Sequence, residues 1–150
     1  EISGTIYFSL RQYVMLGKVG RVMYEVEVDI SDVRTVIPDV VFISDENDHL
    51  IHKQSIVGAP DLVVEILSES TQKRDWDTKL KAYQAAGVEH YWIVSQDLTI
   101  WEFVADSAEF KSPEFFDKGE DFTPSLFPGF SINLAALMGE LPSEDSKQDE

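Results

Sequence analysis

Apolar residues recur along this chain with changing period, and the changes divide it into elements. Ile2, Ile6, Leu10, Tyr13 and Val14 fall at helical spacing, which predicts an amphipathic helix over residues 2–16 that ends near Gly17. From Val22 to Ile30 the pattern becomes strict alternation. Val22, Tyr24, Val26, Val28 and Ile30 share one face, while Met23, Glu25, Glu27 and Asp29 share the other. That predicts a single half-buried strand with a solvated acidic face. Ser31-Asp32 marks a turn, and residues 34–43 read as a second strand. The polar stretch opening at Asp45-Glu46-Asn47-Asp48 predicts a loop reaching Pro60. Its start resembles a calcium loop, but the required glycine is missing and the twelfth position is Ile56, so that reading is rejected.

A third strand is predicted over 61–67. Ser68-Glu69-Ser70-Thr71 then offers hydroxyl caps for a helix over about 71–86, stopped by Gly87, with Trp76, Leu80 and Tyr83 as its buried stripe. Residues 89–94 and 98–104, joined at Ser95-Gln96-Asp97, read as a hairpin. A short strand or turn near 122–127 and a helix around Leu134–Met138 complete one domain over residues 1–141. Residues 142–150 form an acidic tail with too little apolar content to order itself. The order α-β-β-β-α-β-β implies an α/β fold with helices packed around one central mixed sheet.

The chemistry begins with Glu65, a carboxylate inside the apolar run Leu62-Val63-Val64-Glu65-Ile66-Leu67. A strand so apolar is normally buried on both faces, and an ionised carboxylate there needs a cation or hydrogen bonds. A second acid, Asp39, stands in a similar run from Val36 to Ile43. If the two strands pair as an antiparallel hairpin, the two carboxylates approach each other and require positive charge between them. Hard oxygen donors suit Mg²⁺ or Mn²⁺. Lys79 borders the buried stripe of the following helix and can lean back toward the strand ends, with Asp75 four residues before it at the spacing of a same-face ion pair. The simpler alternative is a structural Glu65–Lys79 salt bridge, with Asp61 serving as a strand-entry turn residue. Trp76, Tyr83, Trp92 and Trp101 are placed as core residues, and His49, His52 and His90 as surface or structural ones.

Composition narrows the choices. A chain of 150 residues, 43% hydrophobic, supports one core. No apolar stretch approaches the roughly 18 residues of a membrane span, no signal peptide opens the chain, and cysteine is absent, which together predict a protein of a reducing cytoplasm. The net charge of -16 (12 minus 28) opposes indiscriminate binding to polyanions. A basic island holding Lys73, Arg74, Lys79 and Lys81 directly follows the Glu65 strand, either as a phosphate-contacting face or as a solvated helix face. The chain has no Gly-x-Ser-x-Gly elbow, no phosphate-cradling glycine loop and no histidine pair at zinc spacing.

Pro38-Asp39, the run Gly58-Ala59-Pro60-Asp61-Leu62-Val63-Val64-Glu65-Ile66-Leu67-Ser68, then Asp75, Lys79, Tyr83, Gly87-Val88, Tyr91-Trp92-Ile93-Val94 and Pro128-Gly129-Phe130 resemble the bacterial Uma-two family. The resemblance covers residues 2–138. It implies a restriction-endonuclease-like fold with a PD-(D/E)xK nuclease motif, and hence a Mg²⁺- or Mn²⁺-dependent endodeoxyribonuclease that often works as a homodimer. On that likeness Asp39 and Glu65 are the motif's metal-binding acids, joined by the Ile66 carbonyl. Leu67 stands where the usual lysine would be, so Lys79 is the expected substitute. Asp61 and Asp75 are expected to support the site, and Lys73, Arg74 and Lys81 to contact the DNA backbone. Members are expected to carry a longer amino-terminal segment with a further acid, before the point where this chain starts. The competing expectation is a catalytically inactive nuclease-fold scaffold or dimerisation module.

Overall fold

Short strands of alternating or wholly apolar sequence pair into a mixed sheet whose two faces are each covered. The computed structural model describes residues 1–68 and 72–139; the side chains of residues 72–75 fall outside that description. The caps expected at Ser70 and Thr71 and the tail expected at 142–150 therefore lie outside the described residues. Helix α1 (Ile2–Gly17) leads into β1 (Gly20–Tyr24), β2 (Glu27–Ser31), β3 (Arg34–Val36) and β4 (Val40–Ser44). A 3-10 helix (Asp45–Leu50), β5 (Ser55–Val57) and β6 (Leu62–Ile66) follow. Next come α2 (Gln72–Ala86), β7 (His90–Val94), β8 (Ile100–Asp106), β9 (Glu109–Phe110), β10 (Glu114–Phe116) and α3 (Leu134–Leu137).

The large sheet runs β1-β4-β6-β7-β8-β10, with β9 paired to β8. Its pairs are antiparallel except β6–β7, which is parallel and is connected through α2, as a parallel pair requires. A second sheet of three strands, β3-β2-β5, stands apart from it. Odd and even positions on the strands feed two different cores. Val40, Phe42, Leu62 and Val64 pack with Ile6, Leu10 and Val14 of α1. Val41, Ile43, Val63 and Ile93 pack with Tyr83 of α2 and with Val28, Ile30 and Ile56 of the small sheet. The result is a mixed α/β fold with central sheets flanked by helices.

Several expectations are corrected. The alternating stretch 22–30 is two strands in two sheets, broken at Glu25, whose φ is 49°. Its N–H donates to the Asp39 carbonyl at 3.2 Å, and past that point the chain leaves the large sheet. Tyr24, expected inside, is 60% exposed. The second predicted strand is also divided, because Ile37-Pro38-Asp39 interrupts 34–43; proline supplies no N–H for a ladder. Its first half turns back on β2 and only its second half enters the large sheet. The predicted 45–60 loop contains the 3-10 helix and β5, the latter parallel to β2. The expected order of five strands thus becomes ten among the described residues, with β9 and β10 unforeseen.

Candidate active site

Strands β4 and β6 pair antiparallel with Val40 opposite Val64 and Val41 opposite Val63. Continued one step past Val40, that register puts Asp39 opposite Glu65. Both are odd-numbered positions, so they share the face of Val41 and Val63, which is the α2 side of the sheet. Asp39 lies just before β4, and its carbonyl accepts the Glu25 N–H on the β1 side. On the β6 side its carboxylate Oδ2 accepts the N–H of Ile66 at 2.7 Å, which ties the side chain to the end of β6.

Glu65 is 4% exposed. Lys79 reaches back from α2 and sets its Nζ 2.8 Å from Glu65 Oε2. The Tyr83 hydroxyl donates to the same oxygen at 3.1 Å. Lys79 and Tyr83 are four residues apart, hence neighbours on one helix face. Gly87, at φ 91°, closes the helix just beyond them. Asp39 Oδ1 and Glu65 Oε1 carry no hydrogen bond among the described residues.

Burial pushes the Glu65 carboxyl above its ordinary range. Lys79 opposes that shift through its hydrogen bond and its charge, the Asp39 charge adds to it, and the Tyr83 bond lowers it. Tyr83 is raised too, first by burial and then by the adjacent Glu65, so its hydroxyl keeps its proton and acts as a donor.

The remaining candidates are spread out. Asp61 accepts from the Ser44 N–H at 2.7 Å, the Ser44 hydroxyl at 3.1 Å and the Asn47 amide at 3.0 Å, which places it at the entry of β6, at the far end from Glu65. Lys79 pairs with Glu65; the Asp75 side chain that was to be its partner lies outside the described side chains, as do those of Lys73 and Arg74. Lys81 is exposed on α2. Trp92 is buried in the α1-side core, and Trp76 meets Trp101 edge-on at 5.0 Å against the other core. The sequence reading assigned Tyr83 to packing alone and missed its hydroxyl. The available signal was its place one turn after Lys79 on the face toward Glu65.

This mixed α/β architecture, with central sheets flanked by helices, broadly matches that of restriction-endonuclease-like proteins. Residues 1–135 match the model of the family Uma2, described as "Putative restriction endonuclease", and the chain belongs to that family. Among solved structures it is similar to one described as a "putative nuclease belonging to DUF820" from Anabaena variabilis. That match has a TM-score of 0.73 at 16% identity, covering 92% of this chain and 78% of the other. The type IIG restriction endonuclease BpuSI is also similar, at a TM-score of 0.45 and 16% identity, over 69% of this chain and 11% of that one. No curated protein matches the chain.

Such a family implies a divalent metal. Among the described residues no group of three or more histidine, aspartate or glutamate side chains gathers to hold one. Among the described residues, the carboxylates that come together at this site are Asp39 and Glu65. Mg²⁺ commonly uses one or two carboxylates, with water and substrate phosphate filling the remaining positions. Two hard carboxylates on one face of adjacent strands, each with an oxygen outside any described hydrogen bond, fit an ion of that kind.

Proposed function

We propose that the protein is a metal-dependent phosphodiesterase of the PD-(D/E)xK type, cutting DNA internally. The observation that carries this reading is the meeting of Asp39 and Glu65 on the α2 face of β4 and β6, with Lys79 against Glu65. Asp39 and Glu65, with the Ile66 carbonyl, are the residues that would hold one or two Mg²⁺ or Mn²⁺ ions. When bound, such an ion activates water and neutralises charge on the scissile phosphate.

The chain's own part is positional. The Ile66 N–H fixes the direction of the Asp39 carboxylate. Lys79 carries three N–H donors. One serves Glu65, and the others, which have no partner among the described side chains, would orient an attacking water and offset charge developing on the phosphate. Asp61 steadies the entry of β6 through Ser44 and Asn47, with Asp75 assigned to support Lys79. Lys73, Arg74 and Lys81 on α2 would contact the DNA backbone. A homodimer would match the two strands of the substrate.

The test is cleavage of plasmid DNA with and without Mg²⁺ or Mn²⁺. Wild type is expected to cut only with the ion, and Glu65→Ala and Lys79→Ala to fall by about a hundredfold or more. Equal residual cutting by all three proteins would identify a contaminant and defeat the proposal.

A second reading has its own support in the net charge of -16 and in the small number of acids at the site. A catalytically silent scaffold or interaction module would keep the Glu65–Lys79 pair as architecture. Calorimetric titration with Mn²⁺ separates the two. Stoichiometric binding that Asp39→Ala abolishes belongs to the enzyme, and absence of binding belongs to the scaffold.

A further inference from the structure

Tyr83 is 1% exposed and its ring packs 4.9 Å from that of Tyr91. A phenylalanine would fill the same volume, so packing alone leaves the hydroxyl unexplained. A buried hydroxyl needs a partner, and the partner here is Glu65 Oε2, the oxygen that Lys79 already engages. Each carboxylate oxygen offers about two lone-pair sites. Two donors at 2.8 Å and 3.1 Å therefore saturate Oε2. Oε1 is left without a hydrogen bond among the described residues.

From this geometry we infer that Tyr83 is a positioning residue: with Lys79 it occupies Oε2 and so makes Glu65 a one-oxygen ligand, through Oε1, for a hard divalent cation. The inference rests on the metal-binding reading above. It adds a selectivity. Ca²⁺ readily takes a glutamate through both oxygens in a large, flexible shell, whereas Mg²⁺-sized ions demand near-octahedral geometry. A glutamate with one oxygen blocked favours the smaller ion. Tyr83 thus acts against Ca²⁺ as well as for Mg²⁺ or Mn²⁺, and it does so without touching the ion.

The experiment is calorimetric titration of Mn²⁺ and of Ca²⁺ into wild type, Tyr83→Phe and Leu80→Ala. It is joined by the metal-induced infrared difference spectrum in the carboxylate region, where one-oxygen and two-oxygen coordination differ in band splitting. Leu80 packs on the same core from the same helix but takes no part in the Glu65 contacts, so its truncation reports simple loosening of α2. Tyr83→Phe is expected to weaken Mn²⁺ binding roughly three- to tenfold while Ca²⁺ binding holds or strengthens. The carboxylate splitting should move toward the two-oxygen pattern, and Leu80→Ala should keep the wild-type Mn²⁺/Ca²⁺ ratio. An unchanged ratio and spectrum in Tyr83→Phe would overturn the inference while leaving the metal site standing, as would an equal change in Leu80→Ala. Failure of wild type to bind Mn²⁺ at all would overturn both readings together.

Discussion

Two buried carboxylates in this protein solve the same problem with different partners. Glu65 has a cation and a hydroxyl on one oxygen; Glu102, 3% exposed, has among the described residues the N–H and hydroxyl of Ser125, at 2.9 Å and 3.4 Å. Removing the cation from the first should be felt. Lys79→Met is expected to lower unfolding free energy by about 1–3 kcal/mol at neutral pH, measured by urea denaturation. That is below the usual figure for a fully buried pair, because the Lys79 side chain is 38% exposed and Glu65 can take up a proton. The loss should shrink as the pH falls and the carboxylate is neutralised in wild type as well.

Glu102 permits a pH prediction free of any metal. Burial raises its folded pKa above the ordinary 4.5; the Ser125 bonds oppose that, and the Glu114 charge adds to it. Between 4.5 and the raised value the folded state holds a proton that the unfolded state has released. This group's contribution to stability is therefore present below 4.5 and drains away as the pH rises through the folded value. Glutamine does not titrate. The stability of Glu102→Gln relative to wild type should rise with pH across that window and then level, in urea unfolding run as a pH series. A difference that stays flat from acid to neutral pH would refute the assignment.

Local periodicity was a good guide wherever an element belongs to one layer. The helix read over 2–16 is α1, the helix that Gly87 ends is α2, and the hairpin read around Ser95-Gln96-Asp97 is β7 with β8. Alternation misled between Val22 and Ile30, because both sheets need an apolar inner face and each half of that stretch satisfies its own sheet. The positive φ at Glu25, where the chain changes sheets, has no hydrophobic signature. Gly20 marks where that first strand must come close to its neighbour. A Cβ there would lie 2.2 Å from the Ile43 carbonyl oxygen and 2.7 Å from the Phe42 ring. Since the nearer obstacle is backbone, Gly20→Ala is expected to push β1 off β4 and cost about 1–3 kcal/mol. The readout is a lower urea midpoint at unchanged denaturant slope.

For the whole molecule, charge and architecture pull against each other. A net charge of -16 repels a polyanion, while the family to which the chain belongs is described as a putative restriction endonuclease. Under the function proposed above, positive charge would have to be concentrated at the site, and Lys79 on α2 does stand against Glu65 of β6. No described helix is long and apolar enough to cross a membrane.

Composition and spacing were enough to single out Asp39, Glu65 and Lys79 and to predict helices against a mixed sheet, because burial periodicity and a charge inside an apolar run are local facts. Three things required the folded chain. The β4–β6 register decides that the two acids face the same side, since a slip of one residue would send one of them to the opposite core. The placing of Asp39 beside the end of β6 decides that its carboxylate answers the Ile66 N–H. The packing of α2 on that face decides that Lys79 and Tyr83 converge on a single oxygen of Glu65. Each is a relation between segments distant along the chain, and side-chain direction at such meetings is set by packing that no local pattern contains.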